Sequence, residues 1–318
     1  MKTAASLFRT LVFAAGLLTL GLGQASAAKL KPFILAYTTP SGDVAAVAAK
    51  VKDQLTKAGF QVVGSYAPYT NAKFSNGEVV SAEVIGVTDK AIQDAAAQTK
   101  FGGFAVVQRV TVTKVDKNGK VETQVAYTNP VYMANAYRLK SDMSDVLAQL
   151  SKALGDQEQY GPAEGLSPSA LRDYHYKWLM PYFDDRWDLG SYGSYQDALK
   201  AINAGLAAHK GGASKVYEVA VPGKDETLFG VALSGPKNNE CSGDEYIMSR
   251  IDFKNIKSTG HLPYGILVLG NKAYALRAKF RIAINFPDLS MMGSNSFMSI
   301  MCAPGSIETA LKAVAGSS

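Results

Sequence analysis

The feature that most constrains the fold is a phrase that the chain carries twice. The two copies are TNPVYMANAYRL at 128–139 and a diverged INFPDLSMMGSNSFM at 284–298. The spacing from Asn135 to Lys152 equals the spacing from Asn295 to Lys312. Repetition of a phrase at this distance indicates that a whole structural unit is repeated. The sequence therefore predicts two related domains in one chain.

The same order of secondary structure is predicted in both halves. The first half has strands at 31–39, 60–66, 82–88, 103–115 and 120–127 and helices at 41–60, 89–99 and 141–155. The second half has helices at 193–211, 241–251 and 306–314, strands at 215–222 and 227–235, and a hairpin at 264–285. This order predicts an α+β fold of two similar domains, each a mainly antiparallel sheet with helices packed on it. The first domain is expected at 28–155 and the second, diverged one at 193–318.

Local signals define the ends of several elements. Side chains that accept hydrogen bonds from free backbone N–H groups predict helix caps at Ser41, Asp89 and Ser194. Residue pairs that tolerate positive φ predict two-residue hairpin turns at Asn118-Gly119 and Gly270-Asn271. The polar segment 67–78 is expected to be a loop.

Residues 156–192 form a bridge between the two domains. The bridge begins rich in Gly and Pro and then becomes aromatic, with Tyr174, Tyr176, Trp178, Tyr182, Phe183 and Trp187. Because burial of one aromatic side chain contributes roughly 2–3 kcal/mol, a flexible linker would not carry so many of them. We expect the bridge to pack against both domains and its last residues to supply the first strand of the second domain.

The N-terminus has the pattern of a secretory signal peptide at 1–27. Lys2 and Arg9 precede an apolar run of 12 residues at 11–22, and Ala-Ser-Ala at 25–27 precedes a cleavage site. An uncleaved anchor would need about 20 apolar residues to span a bilayer. We therefore expect cleavage before Ala28, no transmembrane segment afterwards, and a periplasmic or secreted protein.

Charge, cysteine and histidine content restrict the partners. Loss of Lys2 and Arg9 lowers the formal net charge from +6 to +4, and the remaining cations are dispersed, which argues against nucleic-acid binding. Under oxidising conditions Cys241 and Cys302 either pair in a disulfide or remain two separate buried thiols. The three histidines lie in separate segments without ligand spacing, so no metal or other cofactor is predicted.

Part of this pattern is similar to a known family. A helix ending in KAGF at 57–60, the run VIGVTDKAIQDAAAQ at 84–98 and the closing Asn129-Pro130 resemble the 302 family of domains of unknown function. The resemblance covers 33–155 clearly and 193–315 more weakly. It implies a small α+β domain in each half, arranged as a tandem pair, and no established activity.

Two groups of residues are candidates for binding. Tyr and Asn side chains suit a small polar or aromatic ligand, although the same side chains also cap turns and pack under helices. The predicted ligand-binding residues are Asn129, Tyr132, Asn135, Tyr137, Arg138, Tyr174, Tyr176 and Trp178. Alternation over 273–284 predicts a strand with one basic face, which is either an anion-binding row or a solvated face, formed by Arg277, Lys279 and Arg281.

The familiar catalytic motifs are missing from the sequence. It contains no Gly-x-Ser-x-Gly, no phosphate-binding Gly-rich loop, no His-Glu-x-x-His and no Cys-x-x-Cys. We therefore expect a non-enzymatic protein that binds a small molecule or an envelope protein. The alternatives are an enzyme of unrecognised type that uses Tyr, Asp and Arg as acid–base groups, and a structural accessory of an envelope complex. A deep pocket that contains a titratable group with a strongly displaced pKa would favour the enzyme, and a broad apolar patch would favour the structural accessory.

Overall fold

The computed structural model describes residues 28–40 and 42–316, and its strands form two antiparallel sheets. The predicted signal peptide and Ser41 lie outside the described residues. The first sheet contains β1 (Phe33–Pro40), β2 (Gln61–Tyr66), β3 (Thr70–Phe74), β4 (Gly77–Thr88), β5 (Gln108–Lys117), β6 (Lys120–Thr128) and β7 (Glu158–Tyr160). The second contains β8 (Trp187–Ser191), β9 (Ala213–Ala220), β10 (Glu226–Leu233), β11 (Tyr264–Leu269) and β12 (Lys272–Ala275).

Helices flank both sheets, which confirms the α+β fold. They are α1 (Val44–Lys57), α2 (Lys90–Ala97), α3 (Pro130–Ala136), α4 (Ser144–Leu154), α5 (Pro168–Arg172), α6 (Tyr195–Ala207), α7 (Asp244–Ile251), α8 (Ala278–Asn285) and α9 (Ala303–Ala315). Helices α1 and α4 pack on the first sheet, and α6 and α9 pack on the second. Short 3-10 turns lie at Gly102–Ala105, Lys210–Gly212, Glu240–Ser242, Thr259–His261 and Phe297–Ile300.

The two sheets have the same strand order. The first runs β2-β4-β5-β6-β1, with β7 added beside β1 and β3 also paired with β4, and the second runs β9-β10-β11-β12-β8. In chain order, α1 to α4 hold the same places in the first half as α6 to α9, without the short α5, hold in the second. Each half therefore has one arrangement of sheet and helices in common with the other.

The repeated phrase does not mark equivalent positions, which corrects the alignment expected from sequence. Residues 128–139 contain α3, whose counterpart α8 ends at Asn285. Most of 284–298 is instead an irregular connection between α8 and the turn at Phe297–Ile300. The equal Asn-to-Lys spacing is therefore not a structural correspondence.

The second face of each sheet is covered by the other domain. Along β5, Val110 and Val112 lie in the core beneath the helices. The alternate residues face the second domain, where Arg109 Nε donates to Gly260 O (2.7 Å) and Thr113 Oγ1 lies 3.0 Å from Thr259 Oγ1. In return, the turn at Gly102–Ala105 lies against β10 and β11. Neither sheet has a free face at these positions.

Two glycines at matching places in the two sheets allow this close approach. A Cβ at Gly230 would lie 2.4 Å from the ring of Tyr217, and a Cβ at Gly86 would lie 2.8 Å from the same ring. Because protein interiors are close-packed, side chains at these positions would displace the tyrosine. Gly86 and Gly230 therefore accommodate one aromatic ring between the domains.

Three local predictions are wrong. The strand expected at 273–284 ends at Ala275 and is followed by α8, which is buried on nearly all sides and so has no helical polar-apolar period to detect. The loop expected at 67–78 contains β3 and the start of β4. The first helix begins at Val44, and its cap is Asp43, whose carboxylate accepts from Ala46 N (3.1 Å).

A disulfide bond joins Cys241 and Cys302. It ties the turn at Glu240–Ser242 to the start of α9. Among residues 28–40 and 42–316, no helix has the length and apolar character needed to cross a membrane.

Candidate functional site: the bridge pocket

The aromatic part of the bridge is packed rather than flexible. The hydroxyl of Tyr174 donates to Ala283 O (3.1 Å), and that of Tyr176 donates to Leu289 O. On the other side, the ring of Phe183 stacks on Tyr137 with centroids 5.6 Å apart. These contacts attach the bridge to both domains, and β8 at its end pairs with β12 in the second sheet.

A cavity of about 680 Å³ lies where the bridge meets α8 and α9, and we call it the bridge pocket. Its volume is in the range of small-molecule sites. Its lining residues are His175, Trp178, Leu179, Met180, Pro181, Tyr182, Asp185, Trp187, Arg277, Lys279, Pro304, Gly305 and Glu308. The pocket therefore combines aromatic and apolar walls with two cations.

Trp187 contributes its ring to the lining. Its side chain is only 6% exposed, and its indole Nε1 is inaccessible to solvent and has no hydrogen-bond acceptor among the described residues. Because the pocket is open to solvent, this N–H group does not face it, and a ligand in the pocket would contact the apolar ring of Trp187.

The two cations stand at the start of α8. Arg277 Nε donates to the backbone oxygen of Asp185 (2.9 Å), and neither Arg277 nor Lys279 forms an ion pair with a described residue. The lining also contains two carboxylates. Glu308 pairs with Lys312 (3.0 Å), whereas Asp185 accepts only from the neutral Tyr182 N (2.9 Å) and keeps its charge. Counted with Lys312, the cations of the pocket exceed its carboxylates by one, which leaves a small positive excess for an anionic group.

The outer wall of the pocket is unusually exposed. Trp178 is 84% and Leu179 is 81% exposed, although both are large apolar residues. Next to them, the rings of His175 and Tyr182 lie with centroids 4.4 Å apart. An exposed apolar rim beside a concave site is typical of a surface that becomes covered when a ligand binds.

The side chains of the repeated phrase at 128–139 make contacts within the protein and do not line the bridge pocket. Asn129 caps α3 by accepting from Val131 N (3.1 Å), and Asn135 Nδ2 donates to Val131 O (2.9 Å). The hydroxyl of buried Tyr132 donates to Ile284 O (2.6 Å), which joins α3 to α8. Asn129 and Asn135 therefore stabilise α3 itself, and Tyr132 connects the first domain to the second.

The remaining predicted residues are also separated. Arg138 donates to Arg172 O (2.7 Å) and pairs with Asp184 (3.1 Å). Tyr174 and Tyr176 anchor the bridge through the hydrogen bonds described above. Of the predicted ligand-binding set, only Trp178 lines the bridge pocket.

The predicted basic row is divided between two places. Arg277 and Lys279 line the bridge pocket, whereas Arg281 is buried and lines a different, small cavity. The three side chains therefore do not share one face, because they begin a helix instead of following a strand.

The groups with the most displaced pKa values lie in the core and do not line the bridge pocket. Burial raises the pKa of Asp244 to about 7 and that of Asp252 to about 7. Burial, together with the charges of Arg281 and Arg109, lowers the pKa of His261 well below its ordinary value. Among the described residues, no group of three His, Cys, Asp or Glu side chains has metal-binding geometry.

Comparison with known proteins gives one match. Residues 36–156 match the family model described as domain of unknown function DUF302. The DUF302 match contains β1 from Ala36, all of α1 to α4 and β2 to β6, and thus most of the first domain. No curated protein and no solved structure matches the chain.

Several residues of the pocket were not predicted from the sequence. Asp185 and Trp187 belong to the bridge, whereas Glu308 lies in α9, far away in the chain, and none of the three belongs to a motif. The available signal was indirect, since the aromatic density of the bridge indicated that it packs against something.

Proposed function

We propose that this protein is an exported, non-enzymatic binding protein whose bridge pocket takes a small anionic molecule with an aromatic or apolar body. One observation carries the proposal. The bridge pocket places Arg277 and Lys279, neither of which forms an ion pair with a described residue, beside the rings of Trp178, Tyr182 and Trp187. An anionic group would be attracted by both cations, while the aromatic walls would contact the rest of the ligand.

Export rests on the signal-peptide pattern of residues 1–27, and the expected location is the periplasm or the exterior. The second domain is proposed to be a diverged DUF302 copy, so that the chain is a tandem pair. The shared strand order of the two sheets supports this descent.

Binding is preferred over acid–base catalysis because of where the displaced groups lie. An acid–base enzyme places a group of perturbed pKa in contact with its substrate. Here the carboxyls with a pKa of about 7, Asp244 and Asp252, belong to the core around α7 instead of the pocket lining.

Tryptophan fluorescence is suited to test the proposal. The chain has two tryptophans, Trp178 and Trp187, and both line the bridge pocket. We expect benzoate and 4-hydroxybenzoate to change the emission in a saturable way, and the neutral amide benzamide to bind at least tenfold more weakly, because it lacks the charge.

Variants identify the groups responsible. Arg277→Met combined with Lys279→Met should weaken carboxylate binding at least tenfold, with little effect on benzamide. Lys200→Met, which removes an exposed cation of α6 outside the pocket lining, is the matched control. Equal affinity for acid and amide, or no saturable change with any probe, would reject the proposal.

A further inference from the structure

Two arginines are buried side by side between the domains. Arg109 is 3% and Arg281 is 6% exposed, and neither forms an ion pair with a carboxylate of the described chain. Their charges interact, since Arg281 together with burial lowers the pKa of Arg109. Burial of a charge is costly unless an opposite charge accompanies it, and two like charges increase that cost.

Backbone oxygens satisfy the two guanidinium groups only in part. Arg109 Nε donates to Gly260 O (2.7 Å), and Arg281 Nη2 donates to His261 O and to Pro263 O (2.6 Å). Arg109 Nη2 and Arg281 Nε have no acceptor among the described residues. Two buried cationic donors are therefore left without a partner.

The polar side chains nearby supply no full counter-charge. The hydroxyls of Tyr137 and Tyr217 lie close enough to Arg109 to influence its pKa, but within the described part of the chain the Tyr137 hydroxyl has no hydrogen-bond partner of good geometry. Asp244 lies near Arg281, but burial raises the pKa of Asp244 to about 7 although the charge of Arg281 opposes that rise. Its hydrogen bonds, however, come from Tyr66 and from the backbone of β10.

Both guanidinium groups line one small cavity, of about 10 Å³. This is room for a single particle of about the size of a water molecule. Phe104, Leu228 and Leu276 form apolar walls around it. Gly265 lines it as well. In the second sheet Gly265 holds the position that Arg109 holds in the first, because Gly265 pairs with Gly230 and Arg109 pairs with the equivalent Gly86. The glycine keeps the space open.

We propose that this cavity holds one monatomic anion, a halide such as chloride, between Arg109 and Arg281. A halide between the two guanidinium groups would supply the missing negative charge. Phosphate, sulfate and carboxylates are too large for the cavity. The bound anion would connect β5 of the first domain with α8 of the second, so it would stabilise the joined pair and not a single half.

The test is unfolding of the full chain in sodium chloride and in sodium gluconate at equal ionic strength. A ligand that binds the folded state stabilises it in proportion to its occupancy. Above the dissociation constant, we expect the unfolding equilibrium constant to fall tenfold for each tenfold rise in chloride. Gluconate, which cannot enter, should give no such dependence.

Two variants and one direct measurement make the outcome decisive. Arg281→Met should abolish the chloride dependence, whereas Arg250→Met, which removes an equal charge on α7 outside the cavity, should retain it. Bromide-soaked crystals should give an anomalous peak in the cavity lined by Arg109 and Arg281. Coincident chloride and gluconate curves for the native protein, together with no bromide peak, would show that the cavity holds water only and would overturn the proposal, even if the variants fail to fold.

Discussion

Replacement of Asp244 by Asn should remove part of the pH dependence of the free energy of unfolding. Asp244 is the first residue of α7, and it is buried. Its Oδ2 accepts from the hydroxyl of Tyr66 (2.8 Å) and from Leu233 N (3.2 Å), whereas Oδ1 has no partner among residues 28–40 and 42–316. Burial raises its pKa from 3.8 to about 7. At high pH the native protein is therefore destabilised by the buried, ionised carboxylate, whereas the Asn variant has no charge at this position.

The direction and size follow from proton linkage. Between pH 3.8 and about 7 the folded state binds a proton at Asp244 that the unfolded state has lost, so the free energy of unfolding falls as the pH rises through this window. One pKa unit corresponds to about 1.4 kcal/mol, so the loss from pH 5 to pH 8 is about 3 kcal/mol. Asp244→Asn should thus gain about 3 kcal/mol relative to the native protein over the same range.

Urea unfolding at pH 5, 6, 7 and 8, followed by far-ultraviolet circular dichroism, measures this difference. Subtraction of the two curves removes titrations that both proteins share, such as those of Asp252 and His261. Asp145→Asn, at an exposed position in the first turn of α4, is the control and should give a difference that changes little with pH. A flat difference curve for Asp244→Asn would refute the reasoning, because the carboxyl would then ionise near its ordinary pKa.

Two further substitutions test the packing. Gly230→Ala should lower the free energy of unfolding by about 1–3 kcal/mol, because its Cβ would lie 2.4 Å from the ring of Tyr217. Tyr217→Leu in the same chain should restore part of the loss. An unchanged urea midpoint for the single variant would contradict the proposed contact. Replacement of Cys241 and Cys302 by Ser should cost about 4 kcal/mol, since the disulfide spans 61 residues and restricts the unfolded chain. Reduction of the native protein should give the same shift, and a loss below about 1 kcal/mol would show that the cross-link contributes little.

Elements with local signals were predictable from the sequence. Asp89 and Ser194 cap α2 and α6 as expected, and the turn at Gly270-Asn271 connects β11 to β12. These signals depend on a few adjacent residues. Helix α8 lacked such a signal, because burial on nearly all sides replaces an amphipathic period with an apolar alternation that also fits a strand.

The candidate sites were much less predictable than the fold. The bridge pocket joins the bridge to residues 277–279 and 304–308, and the buried cavity joins Arg109 to Arg281. Such contacts depend on how the two domains are placed against each other, which local patterns do not encode.

The mutual covering of the two sheets affects how the DUF302 match is understood. Residues 36–156 end before every element that shields the inner side of β5. A fragment cut at that boundary would expose Arg109, Thr111 and Thr113 to solvent. In this chain, the portion that the family model recognises consequently has a sheet face that residues of the second half cover.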